Sequence, residues 1–534
     1  MFSTLHSRKE VGLIMSNATK LAHAVLRQLI EAGVSDFVVS PGSRNAPFLI
    51  ALGEAASKQI IDLHVRIDER GAAFFALGVS KASNNYVAVI CTSGTAAANF
   101  HPAALEALHS DNKLLIITAD RPSKLRKTGA NQTTNQLNIF PGIKTHDIAS
   151  EIDLKALLKS GPIHLNVQFD EPLISQEKSD WLSGLKVVPN NYSNRVDGSV
   201  EVGEGVLVIG HDRGGYTVTE INDFAAKLNW PIIAEDPLSF PKAIAHASLL
   251  LSDQKILESL APENVLVIGR TTLSRSTNNF IKSAKNLIVI DPRISEIDSK
   301  REGNLLLSTL PAQVKSSKSD VSIWKQASDI AAGELASIKW SEQLAIISIC
   351  ESLPDQSALF VGSSRPVRDV EAFCHPRSGI EVFANRGLAG IDGNLSTIFG
   401  IAREFQNTFA ILGDLTFLHD ISALTNAASE NIRIFVIDNN GGAIFSTLPQ
   451  AGVDNFDQLF GTPHNLDLAK VCAGFNVSVS NVSNMTELQD LLSKEVNGLE
   501  VVIVKVPTRQ SNAEKLKEIT QRVSSAVRIG INLA

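Results

Sequence analysis

From about residue 16 onward, the chain alternates short runs of consecutive apolar residues with segments of helical periodicity. Runs at residues 86–92, 114–119 and 434–437 are apolar at nearly every position instead of at every second one. Strands covered by helices on both faces have this continuous pattern, whereas strands with one wet face alternate. The pattern therefore predicts a doubly wound α/β fold with parallel sheets.

Charge and cysteine content exclude several classes of protein. The 49 basic and 56 acidic residues give a net charge of −7 without long like-charge blocks, so a nucleic-acid-binding surface is not expected. The four cysteines show neither CxxC nor zinc-finger spacing, which is typical of a reducing compartment. No apolar run approaches the length of about 20 residues that a membrane helix needs. We therefore expect a cytoplasmic protein without a membrane span.

The apolar runs fall into three groups, which predict three doubly wound domains in series. The expected boundaries are an N-terminal extension at 1–15 and domains at 16–185, 200–335 and 340–534. Polar stretches at 175–203 and 312–325 are predicted to connect them. The predicted strands are 37–40, 62–67, 86–92, 114–119 and 163–169 in the first domain, 206–209, 232–234, 265–268 and 287–290 in the second, and 358–361, 408–412, 434–437 and 501–504 in the third.

Two loops that follow strands of the first domain carry candidate site residues. In the Ser-Pro-Gly-Ser-Arg-Asn turn at 40–45, Ser43, Arg44 and helix N-terminal amides could cradle a carboxylate or phosphate, although an ordinary turn is an equal alternative. Glu69 precedes the apolar run 72–76, where lost hydration would raise its pKa and let it hold a proton. Simple helix capping by Asp68 or Glu69 is the competing interpretation.

The third domain has a pattern that suits a divalent cation. Asp414 follows one predicted strand, and Asn440 follows the next predicted strand 26 residues later. Because the carboxyl ends of neighbouring parallel strands meet at one sheet edge, the two side chains can converge. Their oxygens suit magnesium on a diphosphate, and glycines at 441 and 442 would let the backbone approach the phosphates.

Further polar residues stand near strand ends. Singly, each arginine is expected to form a surface ion pair, but together they suggest a substrate with several carboxylates. The set is Arg121, Gln132, Arg275, Ser364, Arg368 and Arg386.

A strand-end glutamate in the first domain and a Gly-Asp…Asn-Asn pattern in the third resemble thiamine-diphosphate enzymes. Six further motifs, in order, resemble the 2-succinyl-5-enolpyruvyl-6-hydroxy-3-cyclohexene-1-carboxylate synthase (MenD) family of menaquinone biosynthesis. They are Ser-Pro-Gly-Ser-Arg, Asp-Glu-Arg-Gly, Thr-Ser-Gly-Thr-Ala-Ala-Ala-Asn, Ala-Asp-Arg-Pro with Gly-Ala-Asn-Gln, Asn-Arg-Gly-Leu-Ala-Gly-Ile-Asp-Gly and Asn-Asn-Gly-Gly-Ala-Ile-Phe-Ser. The resemblance spans about residues 16–510.

The resemblance implies a transferase that decarboxylates 2-oxoglutarate and adds the resulting succinyl carbanion to isochorismate, with thiamine diphosphate and Mg²⁺ or Mn²⁺ as cofactors. Glu69 would bind the pyrimidine ring and promote loss of the thiazolium proton, and Ile391 would keep the cofactor bent. Asp414, Asn440 and the Gly442 carbonyl would hold the metal. Other residues implied for the cofactor are Pro41, Ser93, Gly94, Gly413, Leu415, Ile444, Phe445 and Leu448. Those implied for substrates are Ser43, Arg44, Arg121, Gln132, Arg275, Ser364, Arg368 and Arg386.

The resemblance also implies an active homodimer or homotetramer with the cofactor at the subunit interface. Ser274 departs from some family members, which have lysine before the arginine at position 275, so the role of this central segment is open. Leu415 follows the metal aspartate, where most thiamine-diphosphate enzymes have glycine, and this favours the specific family. The alternatives are another 2-oxo acid decarboxylase or carboligase similar to acetolactate synthase, and a non-catalytic metabolite-binding module.

Overall fold

The computed structural model describes residues 16–175, 179–188, 196–293, 305–426 and 430–533. The predicted extension at 1–15 lies outside these residues, as does part of the predicted connection at 175–203. The chain divides into two units, the first formed by Met1–Ala76, Asn85–Ala104 and Lys113–Tyr192, the second by Leu77–Asn84, Leu105–Asn112 and Ser193–Ala534. The boundaries of the three expected domains stay a prediction.

The first unit is built on six parallel strands in the order β2-β1-β3-β4-β6-β5. The strands are β1 (Asp36–Val39), β2 (Asp62–Val65), β3 (Val87–Cys91), β4 (Leu114–Asp120), β5 (Lys144–Ile148) and β6 (Ile163–Gln168). The helices are α1 (Asn17–Glu31), α2 (Ala46–Ser57), α3 (Glu69–Ser83), α4 (Thr95–Asn99) and α5 (His101–Ser110), of which α3 and α5 contribute their C-terminal parts to the second unit. The order reverses between β1 and β3, and open sheets bind ligands at such a switch point.

The second unit holds a five-stranded sheet, a six-stranded sheet and the pair β13-β7, all with parallel pairing. The five-stranded order is β12-β11-β10-β8-β9, and the six-stranded order is β15-β14-β16-β17-β19-β18. The strands are β7 (Ser199–Val202), β8 (Gly205–Ile209), β9 (Ile232–Ala234), β10 (Asn264–Ile268), β11 (Asn286–Ile290), β12 (Leu305–Leu307), β13 (Gln313–Ser316), β14 (Ser357–Val361), β15 (Ile380–Phe383), β16 (Asn407–Gly413), β17 (Asn431–Asp438), β18 (Ser478–Val482) and β19 (Leu499–Lys505).

Helices of the second unit pack on these sheets and complete their cores. They are α6 (Val218–Leu228), α7 (Ala247–Leu250), α8 (Gln254–Ser259), α9 (Arg275–Ser283), α10 (Ser322–Leu335), α11 (Glu342–Ser352), α12 (Arg365–Phe373), α13 (Asn394–Ile401), α14 (Asp414–His419), α15 (Leu468–Ala473), α16 (Met485–Leu492) and α17 (Arg509–Gly530). No helix in the described part of the chain has both the length and the apolar character needed to cross a membrane.

Burial explains why the predicted strands form. All five residues of β3 and all seven of β4 are buried, as expected for strands covered on both faces. Local signals set the helix starts, since the hydroxyl of Ser16 accepts the N–H of Thr19 at 3.2 Å and caps α1. The predicted doubly wound α/β class is confirmed.

The sequence pattern misses four of the six edge strands in the three larger sheets that the structure describes; the edge strands β2 and β9 were predicted. The strands β5, β12, β15 and β18 each end a sheet, where only one neighbour covers them. Half-covered strands tolerate polar residues, so β5 (Lys-Thr-His-Asp-Ile) and β18 (Ser-Val-Ser-Asn-Val) lack a continuous apolar run. The pair β7 and β13 lies within the stretches that were expected to be connections.

Candidate functional site

A cavity of about 340 Å³ lies within the second unit, where the order of the six-stranded sheet reverses between β14 and β16. Eleven predicted site residues line it, although they come from four separate stretches of chain, 364–368, 386–391, 413–415 and 442–448. These residues are Ser364, Arg368, Arg386, Ile391, Gly413, Asp414, Leu415, Gly442, Ile444, Phe445 and Leu448. The cavity therefore lies at a topological switch point, the expected place for a ligand in such a sheet.

Asp414 begins α14 directly after β16 and is 1% exposed. Its Oδ1 accepts the N–H of Leu415 at 2.6 Å, and its Oδ2 accepts the N–H of Gly441 at 2.8 Å. Burial raises the pKa of the Asp414 carboxyl, and the two N–H donors oppose that shift. The prediction was that the Asp414 and Asn440 side chains converge; the contact that Asp414 makes with the turn after β17 is to the backbone N–H of Gly441.

The turn after β17 places glycine backbone, which carries no side chain, at the same sheet edge as Asp414. Gly441 has a φ of +137°, and a Cβ there would lie 2.1 Å from the carbonyl oxygen of Gly461, so only glycine fits. The Asn440 amide oxygen accepts the N–H of Asn465 at 2.9 Å, and its Nδ2 donates to Asn465 Oδ1 at 2.9 Å. Asn440 therefore lies beside the cavity instead of among its lining residues.

Two residues that the sequence did not single out join Asp414. Asp438, the last residue of β17, and His464 place ligand atoms within 4.8 Å of each other and of Asp414. The His464 Nε2 lies 3.4 Å from Asp414 Oδ2 and 3.6 Å from Asp438 Oδ1. A histidine 50 residues after Asp414 matches no ligand spacing, so no sequence signal could have revealed it.

Two arginines, Arg368 and Arg386, also line the cavity. Arg386 is 5% exposed, and among the described residues neither Arg386 nor Arg368 forms an ion pair with a carboxylate. Burial, and then the charge of Arg368, lowers the pKa of Arg386. The pKa of Arg368 is also lowered, by burial and then by the charge of Arg365. An anionic ligand would relieve this accumulation of positive charge.

Backbone contacts hold Arg386 in place. Its Nη2 donates to the carbonyl oxygen of Thr272 at 2.8 Å, and its Nε donates to the Thr272 hydroxyl at 3.2 Å. The next two amides, of Gly387 and Leu388, each donate to the Glu106 carboxylate at 2.8 Å. The guanidinium orientation is therefore fixed by neutral partners, which leaves its charge available to a ligand.

Two buried carboxyls also line the cavity and were missed by the sequence analysis. Glu342, at the start of α11, accepts from Asn439 Nδ2 at 2.6 Å. Burial, and then the nearby charge of Asp369, raises the pKa of Glu342 to about 7. Asp369 pairs with Arg365 on the same helix. Because Glu342 is far from every motif in the chain, only the fold brings it here.

The switch point of the first unit gathers a second group of predicted residues. The loop after β1 carries Pro41, Ser43 and Arg44, and the loop after β3 carries Ser93 and Gly94. The Arg121 Nη1 donates to Ser93 Oγ and to the Gln132 carbonyl oxygen, both at 2.7 Å. Burial, and then the charge of Arg44, lowers the pKa of Arg121.

Two residues of this group, Gln132 and Arg44, already have partners within the protein. Gln132 Nε2 donates to the Ser93 carbonyl at 2.9 Å. The Arg44 Nη1 lies 3.1 Å from the Glu171 carboxylate and donates to the Phe169 carbonyl. A ligand carboxylate at Arg44 would therefore compete with exposed Glu171.

Glu69 is half-buried at the start of α3, and residues 72–76 that follow it are fully buried. Asp68 is the capping residue, since its Oδ1 accepts the N–H of Arg70 at 3.0 Å. Because Asp68 caps the helix, the Glu69 carboxylate is not needed for capping, which was the alternative interpretation of this residue. Burial, and then the charge of Glu69, raises the pKa of Cys91, which ends β3.

Arg275 is exposed and does not line the cavity. It begins α9, and the preceding Ser274 is the N-cap, with its Oγ accepting the N–H of Thr277 at 3.1 Å. A serine is a good N-cap and a lysine is not, so helix capping explains why this chain has serine at position 274. The role of Arg275 stays a prediction.

Comparisons with known proteins agree with this geometry. The thiamine pyrophosphate enzyme N-terminal TPP binding domain matches residues 19–139, and the C-terminal TPP binding domain matches residues 368–506. Two proteins named 2-succinyl-5-enolpyruvyl-6-hydroxy-3-cyclohexene-1-carboxylate synthase align over nearly the whole chain. The one from Nocardioides sp. is 36% identical over 94% of this chain and 98% of its own length. The one from Thermobifida fusca is 33% identical over 96% and 100%.

The chain belongs to the 2-succinyl-5-enolpyruvyl-6-hydroxy-3-cyclohexene-1-carboxylate synthase family. The resemblance drawn from its motifs is confirmed. A benzoylformate decarboxylase structure from Polynucleobacter necessarius, 15% identical, has the same fold with a TM-score of 0.63 over 93% of this chain and 99% of its own. The site suits the diphosphate end of the cofactor of these enzymes, since Asp414 supplies a buried oxygen ligand and the backbone of Gly441 and Gly442 lines the same cavity.

Proposed function

We propose that this enzyme decarboxylates 2-oxoglutarate and adds the remaining succinyl unit to isochorismate, with thiamine diphosphate and Mg²⁺ or Mn²⁺, in menaquinone biosynthesis. The carrying observation is that Arg368 and Arg386 line the same cavity as Asp414. A monocarboxylic substrate needs one guanidinium, whereas a dicarboxylic 2-oxo acid and a dicarboxylic acceptor together need several. Family membership supports the same assignment.

The residues present would hold the cofactor at its diphosphate end. Asp414, the Asn440 side chain and the Gly442 carbonyl would bind the metal, while Gly413 and Leu415 would contact the diphosphate. Asn440 would first have to release Asn465, with which its amide is paired. When bound, thiamine diphosphate supplies a carbon that can accept the electron pair left by decarboxylation. Ile391, Ile444, Phe445 and Leu448 would exclude water around that carbon.

Glu69 would hold a proton on the pyrimidine ring of the cofactor, with Pro41, Ser93 and Gly94 beside it. This role suits a carboxylate that is half-buried and not required as a helix cap. The residues that would bind the substrate carboxylates are Ser43, Arg44, Arg121 and Gln132 of the first unit and Ser364, Arg368 and Arg386 of the second. Arg275 would take a more distant substrate group.

By resemblance to the family, we propose a homodimer or homotetramer in which Glu69 and the metal residues of one site come from different copies of the chain. We place the enzyme in the cytoplasm, since all four cysteines are free and buried.

Product analysis tests the proposal. The purified enzyme with thiamine diphosphate and Mg²⁺ is given 2-oxoglutarate and isochorismate, and parallel reactions contain pyruvate or benzoylformate in place of 2-oxoglutarate. We expect CO₂ and the adduct 2-succinyl-5-enolpyruvyl-6-hydroxy-3-cyclohexene-1-carboxylate only with 2-oxoglutarate. Equal turnover of pyruvate would instead favour a carboligase similar to acetolactate synthase. Cofactor binding by calorimetry without any turnover would favour a binding module.

A further inference from the structure

Arg509, the first residue of α17, contacts two separate loops. Its Nη2 donates to Asp457 Oδ1 at 2.7 Å, and its Nη1 donates to the carbonyl oxygens of Gly461 and Asn440. The Asp457 side chain is 73% exposed, so the ion pair alone contributes little to stability. The two carbonyl contacts remain, and they join the turn after β17 to the segment 457–461.

The same two loops also contact each other directly. The Gly442 N–H donates to the Gly461 carbonyl oxygen at 2.8 Å, so this oxygen accepts from both Gly442 and Arg509. A carbonyl oxygen has two lone pairs, and both are used here. A Cβ at Gly461 would lie 2.7 Å from Arg509 Nη1 and would displace the guanidinium. The glycine therefore keeps room for the arginine at this crossing of the loops.

The turn after β17 has a backbone conformation that needs support from its surroundings. Asn440 has a φ of +63° and Gly441 a φ of +137°. Such conformations persist when neighbouring groups hold them. Arg509 contacts Asn440 through its backbone carbonyl, whereas Asn465 contacts its side chain. The Asn440 side chain can therefore leave Asn465 for another partner without losing the contact with Arg509.

We propose that Arg509 is a positioning residue for the cofactor's metal. It holds the turn 440–442 against the segment 457–461, so that the Asn440 side chain and the Gly442 carbonyl are in place before the metal binds. This role rests on the proposed function, which assigns those two groups to the metal. Arg509 does not line the cavity, so it acts through the turn. A turn that is already ordered loses less conformational freedom on binding, and the metal binds more tightly.

Hydrogen exchange of the full chain without metal or cofactor tests the support of the turn. Arg509→Gln loses charge-assisted hydrogen bonds, so peptides covering 439–445 and 457–463 should exchange about tenfold faster. The matched variant Arg528→Gln removes a guanidinium near the other end of α17 and should leave both peptides unchanged. Unchanged exchange in Arg509→Gln would overturn the positioning role.

Calorimetry tests the consequence for the metal. Thiamine diphosphate is titrated into the full chain at a series of Mg²⁺ concentrations. The Mg²⁺ concentration for half-maximal cofactor binding should rise about tenfold in Arg509→Gln and not in Arg528→Gln. In turnover assays, kcat at saturating Mg²⁺ should stay near the wild-type value. A loss of folded enzyme would instead lower kcat and leave the Mg²⁺ dependence unchanged, and that pattern would overturn the role.

A second variant moves the guanidinium without removing it. Gly461 has no positive φ, so Gly461→Ala changes the space beside Arg509 and not the backbone preference. It should raise the half-maximal Mg²⁺ concentration as Arg509→Gln does, while circular dichroism checks that each variant is folded. An unchanged Mg²⁺ dependence in both folded variants would overturn the role of Arg509.

The proposed function fails in a different way. Wild-type enzyme that binds thiamine diphosphate without any need for Mg²⁺ would overturn the metal assignment, and the role of Arg509 with it. Normal Mg²⁺-dependent binding without turnover of 2-oxoglutarate would count against the proposed substrate alone, because the exchange and calorimetry experiments contain no substrate.

Discussion

Glu235→Gln tests how Arg386 is held in the cavity. Glu235 follows β9 and is 1% exposed. Its carboxylate accepts the backbone N–H groups of His211 at 3.0 Å and of Thr272 and Leu273 at 2.9 Å. The Thr272 carbonyl in turn accepts from Arg386. Glu235 is therefore a positioning residue for Arg386, although it does not line the cavity.

The cost of this change follows from the hydrogen bonds. Thr272 N lies 2.9 Å from both carboxylate oxygens, so either oxygen can serve it. His211 bonds to one oxygen and Leu273 to the other. Whichever oxygen becomes the NH₂ of glutamine, one of these two amides loses its acceptor, at about 1–3 kcal/mol. Burial raises the pKa of Glu235, so removing its charge recovers part of the cost. We therefore expect the substitution to cost about 2 kcal/mol, which corresponds to a roughly 30-fold larger equilibrium constant for local opening.

Hydrogen exchange measured by mass spectrometry checks this figure. Peptides covering 205–215 and 268–276 should exchange roughly 30-fold faster in Glu235→Gln. The KM for 2-oxoglutarate should rise more than kcat falls, because the role proposed for Arg386 is to bind substrate and not to take part in bond chemistry. The control Glu258→Gln changes an exposed residue of α8 and should alter neither result. Unchanged exchange in both peptides would refute the positioning role of Glu235.

Three other changes test the site. Glu69→Gln should abolish turnover and leave the circular dichroism spectrum unchanged; near-normal turnover would defeat its assigned role. Arg386→Lys replaces a fork by a point charge, so the KM for 2-oxoglutarate should rise about 10- to 100-fold, and an unaltered KM would remove Arg386 from the substrate site. Glu342 has a folded pKa of about 7 against an ordinary value of 4.5, so its contribution to stability is present below pH 4.5 and is lost as pH rises to 7. Glu342→Gln should therefore raise the free energy of unfolding at pH 8 by about 3 kcal/mol over the wild type, and by little at pH 4; parallel pH profiles in urea unfolding would contradict this.

The central strands and the motifs could be predicted from the sequence because their signals are local. A strand such as β3 must be apolar throughout when helices cover both faces, whatever the rest of the fold. Likewise, Asp414 and Gly441 follow strands directly, and the rule that parallel strands end at one edge places them together. In the structure, the Gly441 N–H donates to Asp414 Oδ2 at 2.8 Å.

The polar edge strands and the distant partners could not be predicted in the same way. The strand β5 carries polar residues because its only neighbour is β6, and that position depends on the order of the sheet. Glu342 reaches Asn439 across 97 residues of sequence, and no pattern in either segment indicates the other.

The sequence by itself determined that the chain forms covered parallel sheets, and it determined which family's motifs stand at the strand ends. Only the tertiary structure decided that Asp438 and His464 join Asp414, and that Thr272 and Glu235 orient Arg386. The physical reason is that helix capping and strand burial depend on near neighbours in the chain. The meeting of two buried side chains instead depends on strand order and on how loops from separate sheets pack.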